Sequence, residues 1–473
     1  MRRPTHAPFA LLVLVFVALC ASRLLPVAAA DFQVGVAVRD ITPPVPYRMS
    51  GYFSERLSTG AHDPLQAKAL VFAQGDTKAA LVFCDVAGIS LDVSRRARAL
   101  ASEQTGIPAA AIMIAATHSH TGPLYFGALR QHFHDLAVER EGTDPYEAHD
   151  YPKMLAERIA EAVAAAHADV SAASLAAGSA EQLGLSFNRR FHMRDGSVRF
   201  NPGKLNPNIV RVAGPIDPEV GLLLVRDTSG TPRAVLSVFA LHLDTVGGTE
   251  YAADYPYYLE NVLRDELGES VVSLFGAGTC GDINHVDVTH DRPQKGHQEA
   301  ERIGAALGET VLAGLVDLRE IATPQLAVRS VTIDAPLQQY DAARVEQAQA
   351  DMQLVGTREL PFLQQVESYK VMALQLREGT MLPLEVQVFR LGQELAIVGL
   401  PGEIFVELGL AIKRQSPFDT TLVIELTNDA PGYIPTTKAF AEGSYETVNS
   451  RVVPGTGEEL VATAVRLLNE LAE

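Results

Sequence analysis

The chain has 473 residues, of which 39 are lysine or arginine and 57 are aspartate or glutamate, giving a formal net charge of −18. An acidic chain offers few of the basic patches that favour nucleic acids and anionic lipid headgroups, so we expect neither as a partner. Its length suits one large domain or two ordinary ones.

The first thirty residues have the pattern of a secretory signal peptide. Two arginines precede an apolar core over residues 9–18, and three alanines stand just before Asp31. This core is too short to span a membrane, and no later stretch has the roughly 20 apolar residues that a span needs. We predict a secreted or periplasmic domain over residues 31–473, without a stable membrane anchor after cleavage. A lipoprotein attached through Cys20 is the weaker alternative, because the preceding leucine is too large for a lipidation site.

Short apolar runs alternate with amphipathic segments, which predicts a single layered α/β unit with a sheet in the middle and helices outside. A polar stretch over residues 338–377 predicts an inserted helical hairpin, and Asp150 is a plausible N-cap. Cys84 and Cys280 lie in strand-like runs and are compatible with two buried thiols or with one disulfide. The predicted strands are 34–38, 67–73, 79–85, 110–116, 209–212, 221–226, 234–241, 271–275, 327–333, 384–389 and 395–400. The predicted helices are 91–104, 151–168, 257–267, 297–318, 342–354, 404–414 and 458–471.

Two histidines follow the apolar run over residues 110–116. His118 and His120 are two residues apart, so an extended backbone points both imidazoles to the same side. Both can then reach one metal ion or one substrate. The pair alone is weak evidence, because structural histidines near strand ends are common.

Three later segments also place a metal-capable side chain where an apolar run ends. His242 follows the run 235–241 and enters a glycine-rich loop, where open α/β sheets collect ligand-binding residues. Glu403 follows a Pro-Gly turn, although an acid in a first helical turn is commonly structural. Tyr433 lies in a Pro-Gly-Tyr segment. Together with the histidine pair, these residues are typical of a hydrolase zinc site with scattered ligands.

The set of motifs resembles the neutral ceramidase family, zinc-dependent amidases that cleave the N-acyl bond of ceramide. Segments 36–43 and 49–52 are similar to that family's opening, and segment 62–69 is similar to its next landmark. The run 117–123, Thr-His-Ser-His-Thr-Gly-Pro, matches the family's Thr-His-Thr-His-Ser-Gly-Pro. Landmarks continue in family order to Tyr445, so the resemblance covers nearly the whole mature catalytic region.

The resemblance implies roles for seven residues. A water on zinc would have its pKa lowered to about 7 and could attack an acyl carbonyl. An imidazole beside it could transfer a proton to the leaving amine, and an arginine and a tyrosine could stabilise the oxyanion. Asp244 and Asp254 would orient histidines or be ordinary loop acids. The implied zinc ligands are His118, His242, Glu403 and Tyr433, and the implied catalytic residues are His120, Arg189 and Tyr445.

The chain departs from the family pattern at several positions. Where the family has an active-site serine, this chain has Asn284, which cannot be a nucleophile. The next residue, His285, is either structural or a ligand of a second metal with Asp282 or Asp287. Residues 124–126 replace family glycines and would change the pocket mouth. We also expect no counterpart of the family's separate C-terminal sandwich domain.

We therefore predict an exported zinc hydrolase of neutral ceramidase type, cleaving an N-acyl amide of a ceramide-like lipid. The close alternative keeps the zinc site but acts on a different amide, ester or lactone, which Asn284 and the altered rim favour. A metal-binding relative without activity is a third possibility. A dinuclear metallophosphoesterase is a fourth, but it would need acidic ligands near Asp40 or Asp85, whose surroundings do not fit.

Overall fold

The computed structural model describes residues 32–357 and 359–473, so the predicted signal peptide lies outside the described residues. The strands are β1 (Phe32–Asp40), β2 (Gly60–Ala61), β3 (Gln66–Gln74), β4 (Thr77–Cys84), β5 (Ile112–Ala116), β6 (Ser171–Glu181), β7 (Phe187–Asn188), β8 (Arg190–Met193), β9 (Val198–Phe200), β10 (Ile209–Val212), β11 (Glu219–Asp227), β12 (Pro232–Phe239), β13 (Glu250–Tyr251), β14 (Val272–Ala277), β15 (Ile283–Asn284), β16 (Arg319–Glu320), β17 (Leu326–Pro336), β18 (Met381–Leu391), β19 (Leu395–Gly399), β20 (Glu403–Ile404), β21 (Thr420–Ile424) and β22 (Tyr433–Ile434). The helices are α1 (Leu91–Thr105), α2 (Gly127–Glu141), α3 (Tyr151–Ala168), α4 (Tyr255–Leu267), α5 (His297–Gly314), α6 (Ala342–Met352), α7 (Phe362–Gln375), α8 (Val406–Gln415), α9 (Thr437–Glu442), α10 (Tyr445–Asn449) and α11 (Thr456–Ala472).

Two mixed sheets form the framework. The larger has nine strands, in the order β14-β12-β11-β6-β1-β3-β4-β5 with β16 pairing beside β6. The smaller has the order β17-β18-β19-β21. Three pairs are parallel, namely β4–β5, β12–β14 and β19–β21, and the other pairs within these two sheets are antiparallel. The layered mixed α/β core that the sequence predicts is therefore confirmed.

Helix α3 shows how closely the layers approach. A Cβ at Gly35 on β1 would lie 1.9 Å from the carbonyl oxygen of Ala166, so only glycine fits beneath the helix. The helix begins where the sequence predicts, with the Asp150 carboxylate accepting from the Lys153 amide at 3.0 Å. Strands β4 and β5 are apolar along most of their length instead of alternating, because both faces of the sheet are covered.

The segment after β21 brings the two sheets together. The Glu425 amide donates to the Ala277 carbonyl oxygen at the end of β14, at 2.9 Å. The Leu426 carbonyl oxygen accepts from the Ala116 amide at the end of β5, at 3.2 Å. Because β5 and β14 are the two edges of the larger sheet, this segment collects the strand ends of both sheets in one place.

A helical cover lies over this place. It consists of α2 and the antiparallel pair α6 and α7, which confirms the helical hairpin predicted in 338–377. The cover has its own small apolar cluster, separate from the three larger cores. The buried members of this cluster are Leu129, Phe133, Met352 and Val355.

Several expectations need correction. The helix predicted over 404–414 begins only at Val406, because Glu403 and Ile404 pair as a strand with Tyr433 and Ile434. The strand predicted over 234–241 ends at Phe239, so a short loop precedes the histidine. The disulfide alternative is wrong, since Cys84 and Cys280 are both free, buried thiols. Among the described residues, no helix has the length and apolar character to cross a membrane.

Candidate metal centre

Three histidine nitrogens meet at strand ends of the larger sheet. His118 follows β5 and His242 follows β12, and their Nε2 atoms lie 3.0 Å apart. Nε2 of His120 lies 3.3 Å from Nε2 of His118. One nitrogen from each of the three rings falls within 4.8 Å of the others. The structure thus brings the sequence-predicted pair and the distant third histidine to one point.

Backbone carbonyls decide which nitrogen faces this point. Nδ1 of His118 donates to the Ala87 carbonyl oxygen at 2.6 Å, and Nδ1 of His242 donates to the Cys280 carbonyl oxygen at 3.2 Å. A carbonyl oxygen only accepts, so each Nδ1 carries a proton and each ring can present an Nε2 lone pair to a metal ion. Two such lone pairs 3.0 Å apart would repel each other without a metal ion or a proton on one of them. Metal-binding histidines are held by this kind of outer hydrogen bond.

The smaller sheet supplies a carboxylate and a phenol. Glu403 and Tyr433 are direct register partners in the short parallel pair β20–β22. Oε2 of Glu403 lies 3.5 Å from Nε2 of His118 and 3.7 Å from Nε2 of His242. This oxygen is buried and has no hydrogen-bond partner among the described residues. A buried, unpartnered carboxylate oxygen facing two imidazole lone pairs fits a bound cation, and nitrogen with oxygen donors suits zinc.

Glycines allow the two ligand loops to approach each other. Gly402 has a φ of +86°, and a Cβ there would lie 2.6 Å from the carbonyl oxygen of Gly432. A larger residue would therefore strain the backbone and separate Glu403 from Tyr433. The two Pro-Gly turns that flagged these segments in the sequence are what lets them pair.

Arg189 supports Tyr433 from behind. Its Nη2 donates to the Tyr433 hydroxyl at 3.1 Å and to the Gly281 carbonyl oxygen at 2.8 Å. Its Nε donates to the Glu446 carboxylate at 2.9 Å, and that carboxylate also binds Arg190. Burial, and then the neighbouring Glu403, raise the pKa of Tyr433 above its ordinary value. Arg189 does not line the cleft, so the structure places it behind a proposed ligand.

Tyr445 and His120 border the open side of the centre. The Tyr445 ring stacks on Phe200 at 4.6 Å between centroids and lies 5.4 Å from the Tyr433 ring. Burial raises the pKa of Tyr445 above its ordinary value, so its hydroxyl stays protonated. Burial and the nearby His118 lower the pKa of His120 to about 4, so this half-buried ring is neutral at pH 7.

A cleft of about 470 Å³ opens above the centre. Its floor holds three of the four proposed ligands, His118, Glu403 and Tyr433, and the helical cover forms one wall. Residues 124–126 were predicted to form the mouth of the pocket. Leu124 and Phe126 do line the cleft, whereas the Tyr125 hydroxyl points into the protein and donates to the Gly88 carbonyl oxygen at 2.9 Å. The lining combines polar floor and apolar wall residues: His118, His120, Glu403, Tyr433, Tyr445, Tyr52, Phe53, Leu129, Tyr369, Ala373 and Leu376.

The residue at the family's serine position has a structural role. Asn284 is 1% exposed, and its side chain donates to the Asn201 side-chain oxygen at 2.8 Å and accepts from the Val286 amide at 3.0 Å. It does not line the cleft. The chemistry of this centre therefore does not involve a side chain at position 284.

The second metal site suggested around His285 is not formed within the described part of the chain. Nε2 of His285 donates to the Gln294 carbonyl oxygen at 2.7 Å, and Nδ1 lies 3.2 Å from the Asp244 carboxylate. Asp282 instead accepts from the side chain of Asn188 and from a backbone amide of α8. Asp254 caps α4 by accepting from the first amide of that helix. These residues hold loops and bring no third ligand to His285.

Sequence reasoning missed Glu425, which lies behind the centre. It is fully buried, and its Oε2 accepts from the amides of Cys280 and Ile404 at 3.1 and 2.7 Å. It thereby connects the loop that orients His242 to the loop that carries Glu403. An acid placed directly after the apolar strand β21 is the same signal that flagged the other ligand loops.

The fold and the three-histidine centre define a layered α/β protein with a candidate metal site at its strand ends. Residues 32–252 match the family model for the neutral/alkaline non-lysosomal ceramidase, N-terminal region. This segment is similar to that family, and the resemblance predicted from the sequence is confirmed.

Individual relatives are distant. Neutral ceramidase B of Dictyostelium discoideum is 22% identical over 270 residues, which cover 54% of this chain and 35% of that protein. The match thus spans about a third of that relative's length. A crystal structure of neutral ceramidase from Pseudomonas aeruginosa matches with a TM-score of 0.70 at 20% identity, covering 94% of this chain and 75% of that one. A structure of ceramidase complexed with C2 matches with a TM-score of 0.69 at 19% identity, covering 93% of this chain and 75% of that one. At these identities the structures establish the fold.

Proposed function

We propose that this chain is a zinc-dependent amidohydrolase of ceramidase type that cleaves the N-acyl amide of a lipid-like substrate. One observation carries the proposal. The Nε2 atoms of His118 and His242 converge with an oxygen of Glu403 that has no hydrogen-bond partner among the described residues, at the floor of a partly apolar cleft. The match of residues 32–252 to the family model supports amide hydrolysis as the reaction.

The residues divide into ligands and groups that act on the substrate. His118, His242, Glu403 and Tyr433 would hold the zinc, which when bound polarises a carbonyl and lowers the pKa of a water. His120 borders the cleft with its Nε2 beside the ligands, so it is placed to take a proton from the attacking water and pass it to the leaving nitrogen.

Two further residues support this arrangement. Tyr445 lines the cleft with a protonated hydroxyl that can donate to the reacting carbonyl oxygen. The Nε and Nη2 donors of Arg189 are already bound to Tyr433, Gly281 and Glu446, so we assign it the positioning of Tyr433. We further propose secretion or periplasmic export, from the signal-like pattern of the first thirty residues.

A second candidate keeps the same centre and changes the substrate. The side chain at position 284 is an amide that hydrogen-bonds outside the cleft, and the large apolar side chains of Leu124 and Phe126 line the cleft. These features favour a different amide, an ester or a lactone over ceramide itself.

Fatty-acid release from a fluorescent N-acyl-sphingosine by the zinc-loaded protein tests the proposal. We expect His242→Ala to reduce turnover at least about 100-fold, since changes even outside the ligand sphere cost 10- to 100-fold. His149→Ala, at an exposed position, is the matched control and should keep full turnover. Turnover that persists in His242→Ala would contradict the proposal. Release from esters or lactones only would favour the second candidate.

A further inference from the structure

Two arginines line the cleft beyond the metal centre, and the first lies beside a ligand loop. Arg451 Nη1 donates to the Pro431 carbonyl oxygen, and its guanidinium carbon lies 3.8 Å from where a Cβ of Gly432 would be. Its Nη2 donates to the Tyr369 hydroxyl at 3.2 Å. Its Nε is buried and has no hydrogen-bond partner in the described ranges 32–357 and 359–473. A cation held only by neutral acceptors therefore lies next to the segment that carries Tyr433.

The second arginine has donors available. The side chain of Arg377 is 30% exposed, lines the cleft and makes no side-chain hydrogen bond to the described residues. Its closest carboxylate oxygen is Oδ2 of Asp429, at 3.9 Å, which is too long for a hydrogen bond. That oxygen is itself buried, and no described residue donates a hydrogen bond to it. Burial lowers the pKa of Arg377, so its charge is held in a poorly solvated position.

Asp429 and Asp92 act on Arg377 through space, but within the described part of the chain no charged group of the cleft accepts a hydrogen bond from either guanidinium. Glu403 faces the histidines of the metal centre. Asp92 lies in the first turn of α1, where an acid complements the helix dipole. Asp429 uses its Oδ1 to accept from the Ala430 amide. A neutral amide such as ceramide brings only neutral acceptors to these guanidinium groups, whereas a carboxylate brings a charge and matches the planar fork of arginine.

We infer that the substrate is an N-acyl amine with an acidic group close to the scissile amide, as in an N-acyl amino acid, and that Arg377 and Arg451 bind that group. The inference rests on the proposed amidohydrolase function. The acid must lie close to the amide because Arg451 contacts the loop of Tyr433. Leu124, Phe126 and Leu129 offer an apolar wall for the acyl chain. Hydrolysis breaks the amide C–N bond, and water supplies hydroxyl to the acyl carbon and a proton to the nitrogen.

The test compares N-lauroylglycine with N-lauroylethanolamine, a neutral amide of similar size, and with N-lauroylsphingosine. We expect the protein to prefer N-lauroylglycine over the ethanolamide by about tenfold or more in kcat/KM, the effect of a charge-assisted hydrogen bond. Arg377→Gln should reduce this ratio about tenfold, mainly through KM, and Arg377→Lys should restore part of it. Arg211→Gln, an exposed arginine on β10, is the matched control and should keep the ratio.

The outcomes separate the inference from the proposed function. Hydrolysis of the neutral amides without preference for N-lauroylglycine, or a ratio that Arg377→Gln leaves unchanged, would overturn the inference and leave the amidohydrolase proposal intact. No hydrolysis of any of the three amides would overturn the proposed function, and the inference with it. Because the ratio is measured on one preparation, partial misfolding of a variant does not change it.

Discussion

The metal centre and the helical cover are built in different ways. The side chains of the centre come from loops that follow strands of both sheets. The rings of His118 and His242 are oriented by hydrogen bonds to backbone carbonyl oxygens. The cover packs around a small apolar cluster of its own, next to the much larger cores beneath the sheets. The framework thus orients the proposed ligands, while the cover shapes the space above them.

One buried ion network attaches the cover to the framework. The side chain of Arg48 is fully buried and binds Glu55 at 2.8 Å and Asp144 at 2.5 Å. His134 of α2 lies 2.9 Å from the same Asp144 carboxylate. His134, Asp144 and Glu147 have the spacing of a metal site, but Arg48 already compensates the two acids. The cover therefore depends on these ion pairs and on one small apolar cluster.

The largest expected effect comes from the centre. Glu403→Gln keeps the shape of the side chain but removes the charge that faces His118 and His242. We expect at least about a 100-fold loss of kcat and weaker zinc binding. Glu407→Gln, four residues later on α8, is the control and should keep both. Full activity in Glu403→Gln would show that this carboxylate does not serve the reaction.

The next largest effect tests Glu425, which connects the loop that orients His242 to the loop that carries Glu403. Glu425→Ala leaves the amides of Cys280 and Ile404 buried and unpaired, at about 1–3 kcal/mol each. We expect urea denaturation to show a loss of about 4 kcal/mol, with weaker zinc binding because both ligand loops loosen. Glu425→Gln retains an acceptor and should lose less. Equal losses in the two variants would mean that hydrogen bonding is not the cause.

A cover variant should change binding but not the metal. Phe133→Ala removes a 5% exposed ring from the cover's cluster, and such a change costs about 3 kcal/mol in a packed core. We expect a higher KM with unchanged zinc content. Val138→Ala, at an exposed position on the same helix, should change the free energy of unfolding by no more than about 0.5 kcal/mol. Zinc loss in Phe133→Ala would mean that the cover and the centre are not independent.

The smallest effect is a pH dependence within the cover. Burial lowers the pKa of Lys370 on α7 to about 8, from about 10.4 for an unfolded lysine. The charged form therefore costs stability below pH 8, and the cost disappears as the pH rises towards 10.4. We expect Lys370→Met to be more stable than the parent by about 1–2 kcal/mol at pH 7, with a smaller difference at pH 10. Lys153→Met, at an exposed position, is the control and should show no such pH dependence of stability. A gain in stability of Lys370→Met that is the same at pH 7 and pH 10 would contradict the lowered pKa of Lys370.

Local patterns predicted the framework well and the long-range pairings poorly. The bounds of α3 and β10 agree with the predicted ones because caps and apolar periodicity are local signals. Strand β6 was missed because it is rich in alanine, serine and glycine, which have weak strand propensity, although it is central in the sheet. Glu403 was predicted at a helix start because its partner Tyr433 lies thirty residues away. The helix α2 was missed because its few buried residues pack against segments remote in sequence.

The central claim is that the convergent histidine nitrogens and Glu403 hold one zinc ion. Zinc content of the purified protein, measured by elemental analysis after dialysis, tests it most directly. We predict one zinc per chain in the parent and in the His149→Ala control, and almost none in His118→Ala or His242→Ala variants that retain the parent circular dichroism spectrum. Folded variants that keep a full complement of zinc, or a parent that binds none, would contradict the account.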